Sequence, residues 1–377
     1  MEDIADTLRL LQDSLRKFVE KEIVPHGDKW EAQGFVPREV LREMGKLGFL
    51  GLRFAEEYGG SGLDARATAL LAEELGRSTF SGFAITALVH TDMATPHLVN
   101  AGTPEQLRRY LPSIVAGEKI TAVAVTEPDA GSDVKSIRTR ARREGGDWVL
   151  KGSKMFITNG ALADLYFVAA KTDPAAGSKG LSMFIVEKGM KGFAVGRKLE
   201  KMGWRCSDTA ELVFDDCRVP AQNLLGEENR GFYAIMKNFQ NERMAIAAMA
   251  MGEAQKAIEM TLEYVKTRKA FGAPLWDKQA IRQRLSMLAA RVEAGRQLVA
   301  HAASMDAGGR DCVKEVSMAK AYCAELLNDV VYDCLQFHGG MGYIRESAIE
   351  RMYRDARVQA IGGGATEVML EEVAKRL

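Results

Sequence analysis

Residues 335–355 read LQFHGGMGYIRESAIERMYRD. The run sets a glutamine, a turn with three glycines, an aromatic and a charged helix start at fixed spacing. Two helical patterns meet there. Glycines between helices serve where backbone must approach something closely, or take φ > 0, which a Cβ opposes. About 200 residues upstream, residues 124–133 read AVTEPDAGSD, a second glycine turn rimmed by hydroxyls and carboxylates.

At 377 residues the chain is long for one core, so two or three domains are expected. Lys+Arg and Asp+Glu both number 51, a balance that argues against a nucleic-acid partner. No apolar run approaches the roughly 20 residues of a membrane span. The start, MEDIADTLRLLQDSLRKF, is amphipathic and acidic, unlike a secretory signal or an Arg-rich transit peptide. A cytoplasmic protein is expected. The five cysteines form no CxxC and are odd in number, so they read as free thiols of a reducing compartment. The five histidines show no ligand spacing with them, and no metal site is expected.

The pattern of residues changes twice along the chain. Leu8, Leu11, Leu15, Phe18 and Val19 recur at helical spacing until Pro25, and residues 38–47, 67–75 and 104–110 continue in that manner. From Thr121 to about Pro220 the segments are short and rich in Val, Ile, Phe and Thr. Residues 137–143 and 147–150 around Glu144-Gly145-Gly146 read as a hairpin, with further strands at 155–158, 165–170, 183–186 and 210–214. After Pro220 only helices are expected: 231–269, 280–305, 313–336, 346–359 and a short last one. Short strands separated by turns predict an antiparallel barrel or sandwich rather than a parallel sheet. No GxGxxG follows a strand, which disfavours a nicotinamide-binding Rossmann domain.

With the two glycine segments in this order, the chain resembles the acyl-CoA dehydrogenase family, flavin enzymes that oxidise the α,β-bond of acyl thioesters. The resemblance covers essentially the whole chain. It implies an α+β multidomain fold: an N-terminal α-helical domain over 1–119, a middle antiparallel β-barrel or sandwich domain over 120–223, and a C-terminal four-helix-bundle domain over 224–377. It implies FAD, held at the ring by Val125, Thr126, Ser132, Phe156, Ile157 and Thr158. Strand propensity alone accounts for such threonines and phenylalanines, so the flanking match carries that assignment. Arg268, Phe271 and Gln279 match positions that reach the FAD of a neighbouring subunit, and Gln336, Gly339 and Gly340 match the family's phosphate-side turn. Arg268 also suits a helix C-terminus, where a cation complements the dipole. A homotetramer with a shared FAD site follows from the resemblance, with electrons leaving to an electron-transfer flavoprotein.

Removing an α-proton from a thioester needs a carboxylate of raised basicity and a polarised carbonyl. Most of the family carries that Glu eight residues beyond the Asp of the YRDA segment. Here the position is Gly363, which has no side chain. A subset, similar to isovaleryl- and long-chain acyl-CoA dehydrogenases, carries the acid on the long helix instead, and the matching residue is Glu242. Its helical neighbours Ile235, Phe239, Ile246 and Met249 form an apolar stripe, and burial there raises a carboxyl pKa toward a useful base.

The resemblance further implies that Gln240, Arg243 and Ser132 contact substrate, and that the Gly363 N–H donates to the thioester oxygen. A bare Gly363 is expected to widen the cavity and admit longer or branched acyl chains. Ala365 and Gly362 depart from the family pattern, whereas Glu367 matches many members at the cofactor. The reading is FAD-dependent dehydrogenation of a medium- or long-chain or branched acyl-CoA to the trans-2-enoyl-CoA. Alternatives of the same fold are a dehydrogenase of acyl groups on a carrier protein and an acyl-CoA oxidase. A non-catalytic flavoprotein or assembly partner is the alternative of another class.

Overall fold

The computed structural model describes residues 4–377, so the first three residues of the acidic start lie outside the described residues. The first part is helical: α1 (Ile4–Phe18), α2 (Gly27–Gln33), α3 (Arg38–Lys46), α4 (Ala65–Gly76), α5 (Ser81–Leu88), α6 (Thr95–Ala101) and α7 (Pro104–Val115). A capping box of Thr103 and Gln106 with Pro104 at the first turn starts α7. Between α5 and α6 the helix widens into a π turn over Val89–Ala94. Residues 81–98 of this stretch are buried on every side, polar ones included, and show no amphipathic period, so sequence reading passed over them.

The middle part holds β1 (Thr121–Ala124), β2 (Arg140–Glu144), β3 (Asp147–Thr158), β4 (Leu165–Lys171), β5 (Leu181–Glu187), β6 (Phe193–Lys198), β7 (Thr209–Val219) and the short β8 (Leu224–Leu225). They pair in the order β6-β7-β3-β2-β4-β5-β8, with β1 on β4. Most pairs are antiparallel, but β1 runs parallel to β4 (Thr121 opposite Leu165), and β2 meets β4 in parallel at Arg140 and Lys171. The expectation of a purely antiparallel sheet needs that correction. The β2–β3 hairpin intervenes between β1 and β4 and returns the chain in the same direction. In β4, Leu165, Phe167 and Ala169 join the cluster beneath the helices, while Tyr166, Val168 and Ala170 pack inside the β layer. A strand buried on both faces reads as one continuous apolar run.

The last part comprises α8 (Gly231–Thr267), a small hairpin of β9 (Lys269–Ala270) and β10 (Ala273–Pro274), then α9 (Gln279–Ala307), α10 (Val313–His338), α11 (Ala348–Ala356) and α12 (Thr366–Ala374). Helices α8, α9, α10 and α12 form the bundle, and α4 lies against α8. That crossing is close because both helices present glycine: a Cβ on Gly76 would overlap the Met249 carbonyl, and one on Gly252 the Glu73 carbonyl. The strands β8 and β9–β10 were not expected after Pro220; each spans two residues, too short for a periodic signal.

Candidate active site

Glu242 lies in the fourth turn of α8 and is buried. Its Oε1 accepts from Asn238 Nδ2 at 3.2 Å, one helical turn earlier. Loss of water pushes its pKa up to about 8, against the opposing pull of the Asn238 hydrogen bond and the Arg243 charge. The stripe around it is therefore apolar with one polar interruption, Asn238, which faces Glu242 from the i−4 position.

A loop of three glycines, 362–364, covers this part of α8. Gly363 and Gly364 have φ of 64° and 105°, backbone that only glycine adopts without strain. A Cβ on Gly363 would overlap Ile246 Cδ1, one turn beyond Glu242. A Cβ on Gly364 would lie 3.6 Å from Arg243 Nε, which places the Arg243 guanidinium beneath the loop. Arg243 is buried and stacks over Phe239 at 5.5 Å, and its Nε has no hydrogen-bond partner. From α10, the buried Lys320 donates through Nζ to the Gly364 carbonyl. Burial and then the neighbouring Arg243 charge pull the Lys320 pKa down to about 8. Sequence reading missed Lys320, although Val316, Ser317, Cys323, Ala324 and Leu327 surround it at helical spacing, all of them buried.

The rim of the β domain meets α8 through a shared apolar cluster. Val125 and Ala130 pack with Ala94 and Leu98, and with Met236 and Phe239 of α8. The Thr126 carbonyl accepts from Met155 N at 2.9 Å, which draws the loop after β1 onto the end of β3. Lys154 is fully buried and donates to the Val125 carbonyl at 2.9 Å and to Glu127 Oε1 at 2.8 Å. Glu127 also receives the backbone N–H groups of Arg138 and Thr139, so the turn is fixed by a satisfied buried ion pair. In β3 the register shifts between Lys154 and Ile157, and Phe156 takes φ of 59°. This bulge turns the Phe156 ring outward, 63% exposed, while Ile157 is buried and Thr158 half-buried beside it. Ser132 stands exposed on the turn. An uncovered aromatic face beside backbone and hydroxyl groups fits a flat, apolar ring edged with hydrogen-bonding atoms.

The remaining cofactor candidates gather elsewhere. Arg268, Phe271, Gln279, Gln336, Gly339 and Gly340 are all exposed, Phe271 almost completely, at the far end of α8 and α10. There Tyr264 stacks on His338 at 4.3 Å and ties those two helix ends together. Thr267 lies about seven turns beyond Glu242, roughly 38 Å along α8. One chain thus presents two separated halves of the expected cofactor site. Glu367 is exposed at the start of α12. Gln240 is not beside Glu242: two residues apart on a helix they point to different faces, and Gln240 Oε1 faces Cys312 Sγ at 3.9 Å.

Among the described residues no group of three or more acids, histidines or cysteines could hold a metal ion, and no helix is long and apolar enough to cross a membrane. A cleft of about 440 Å³ opens between Arg16, Glu74, Arg77 and Arg351, away from Glu242. Its arginines are paired, with Glu74 and with Asp28.

Helices, a β layer and a helical bundle, with a buried carboxyl and an exposed aromatic at the β-domain rim, suit a flavoprotein oxidoreductase. Models of the N-terminal, middle and C-terminal domains of acyl-CoA dehydrogenase match residues 5–118, 122–217 and 229–377. The chain belongs to the acyl-CoA dehydrogenase family, whose cofactor is FAD. It is 45% identical to the mitochondrial long-chain specific acyl-CoA dehydrogenase of Mus musculus, over 98% of this chain and 86% of that protein. To the mitochondrial isovaleryl-CoA dehydrogenase of Solanum tuberosum it is 37% identical, over 99% and 90%. The crystal structure of an acyl-CoA dehydrogenase from Geobacillus kaustophilus superposes with a TM-score of 0.95 at 41% identity, covering 98% of this chain and 97% of that one. A glutaryl-CoA dehydrogenase from Mycobacterium smegmatis in complex with FADH2 superposes at 0.92 with 31% identity, over 98% and 94%.

Proposed function

We propose that the protein dehydrogenates the α,β-bond of a medium- or long-chain or branched acyl-CoA, with Glu242 as the base. The observation that carries this reading is a buried carboxyl of raised pKa on α8, one turn from Ile246, which meets the loop at the bare Gly363. Ionised Glu242 takes the α-proton onto a carboxylate oxygen, and the C–H electron pair becomes the new double bond as a hydride leaves the β-carbon. Bound FAD supplies the acceptor for that hydride. The Gly363 N–H is available to the thioester oxygen, where it would stabilise the negative charge that grows as the proton leaves. Arg243 lies beneath the loop, and Lys320 ties the loop to α10 through the Gly364 carbonyl. Val125, Thr126, Phe156 and Thr158 form the ring side of the cofactor site, with Ser132 at its entrance.

The acyl range follows the chain's likeness to long-chain and isovaleryl enzymes. An electron-transfer flavoprotein is the proposed electron acceptor. The separation of the two cofactor half-sites supports an oligomer, a homotetramer by resemblance, in which Arg268, Phe271, Gln279, Gln336, Gly339 and Gly340 serve the FAD of another copy. The unpaired, buried cysteines agree with a reducing compartment.

The experiment is anaerobic bleaching of the bound flavin by a panel of acyl-CoAs, with wild type and Glu242→Gln. Bleaching by a few chain types, slowed roughly 10²–10⁴-fold in the variant, supports the reading. Undiminished bleaching in Glu242→Gln removes Glu242 from the mechanism.

A further inference from the structure

We infer that Asn238 is the positioning residue of this site: held by a carbonyl of the π turn, it fixes the Glu242 carboxyl in place by a hydrogen bond. The inference rests on the reading of Glu242 as the base.

Asn238 is 2% exposed, and its Nδ2 donates at 2.6 Å to the Met93 carbonyl and at 3.2 Å to Glu242 Oε1. The Met93 carbonyl can only accept. It therefore sets which end of the amide faces it, and the second hydrogen of the same nitrogen is left for Glu242. Met93 belongs to the π turn Val89–Ala94, a widened turn whose carbonyls serve side chains of α8. Asn241 repeats the arrangement, donating to the Asp92 carbonyl while its Oδ1 accepts from Arg53 at 2.6 Å. Two asparagines thus seat this face of α8 on the π turn, and one of them carries the carboxyl.

Asn238 Oδ1 has no partner although it is buried. A structural asparagine in a core ordinarily satisfies both ends, whereas this one leaves its acceptor unused and commits its donor to the carbonyl and the acid. A neutral donor to Glu242 favours the ionised form, which burial disfavours. The titratable groups on the elements around Glu242 include Lys237, Arg243 and Glu253 on α8, His90, Asp92 and His97 on the 89–101 stretch, Lys320 on α10, and Glu372 and Arg376 on or just after α12. Of these, the Arg243 charge is the one that acts on Glu242. Asn238 is the sole hydrogen-bond donor to it among the described side chains.

The test measures flavin reduction by an acyl-CoA against pH, using FAD-loaded Asn238→Leu and Asn238→Ser. The expected result is a midpoint moved up by about half to one pH unit. The plateau rate should fall about three- to tenfold through lost orientation. Should Asn238→Leu fail to retain FAD, Asn238→Ser, smaller and polar, carries the same expectation. Midpoints and plateaus equal to wild type overturn the inference. Glu242→Gln, run alongside, separates the two claims. If that variant is inactive while the Asn238 variants match wild type, only the role of Asn238 fails. If Glu242→Gln keeps full activity, the base assignment itself fails.

Discussion

Gly363 and Ile246 compete for one place: a Cβ on Gly363 would overlap the Ile246 δ-methyl, so the isoleucine would have to turn that methyl aside. The glycine loop does not simply leave room for a longer acyl chain, as its sequence suggests. Part of the space is taken from the α8 side, one turn from Glu242. Gly363→Ala should destabilise the protein by about 1 kcal/mol from the positive φ alone, and by more from the overlap. In the Ile246→Ala background, itself destabilised by the cavity it opens, Gly363→Ala should cost only the backbone part. Thermal unfolding of Gly363→Ala in the two backgrounds separates these, and equal midpoints for Gly363→Ala and wild type would refute the packing described.

Glu242 must be ionised to accept a proton, and its pKa is raised to about 8 by burial. The rate of flavin reduction in the free enzyme should therefore climb with pH through the neighbourhood of 8 and level off above it. A group whose acid form is favoured by the fold gives low activity on the acid side, so the profile falls toward pH 6. Stopped-flow kcat/KM from pH 6 to 10 checks this. A flat profile across that range contradicts the buried carboxyl as base.

The Lys154–Glu127 pair fixes the turn that carries Val125 and Thr126. Its lysine is pulled down to about 8 by burial, against the stabilising charge of Glu127. Lys154→Met leaves a buried carboxylate without its cation, a change that costs about 3–5 kcal/mol in such pairs. Loss of bound FAD on gel filtration, together with a lowered unfolding midpoint, is the expected outcome. Lys154→Met/Glu127→Leu should be less damaging to stability than the single change.

Lys320 holds the Gly364 carbonyl beneath the same loop that offers the Gly363 N–H. In Lys320→Met the loop loses that tie, but a buried cation beside Arg243 is also removed. The two effects oppose one another in stability, so the unfolding midpoint should move little. The flavin reduction rate should drop about tenfold or more as the N–H loses its aim. A large loss of stability at an unchanged rate would make Lys320 purely structural.

Much of the architecture was legible because it is written in local periodicity. The long helices α8, α9 and α10 and the strands β4 and β5 carry 3.6-residue or continuous apolar signals that their packing merely uses. The segment 81–98 was not legible, since residues buried on every face give no amphipathic stripe. The parallel pairing of β1 with β4 depends on how the chain returns, which no strand encodes alone. In the candidate site, the burial of Glu242 was legible from its apolar neighbours. Asn238, four residues before it, could have been found by the same spacing. Gln240 came from the resemblance, and the helix turns it toward Cys312 rather than toward Glu242.

By itself the sequence determined the order of helical and β segments, the glycine turns and the setting of Glu242 in an apolar helical stripe, because these depend on residue type and short spacing. Only the tertiary structure decided that the Glu242 carboxyl loses water, that Ile246 fills the place beside Gly363, and that Lys320 and Asn238 serve the loop and the acid. Those facts require elements far apart in the chain to meet, and burial, overlap and hydrogen bonding exist only once they have.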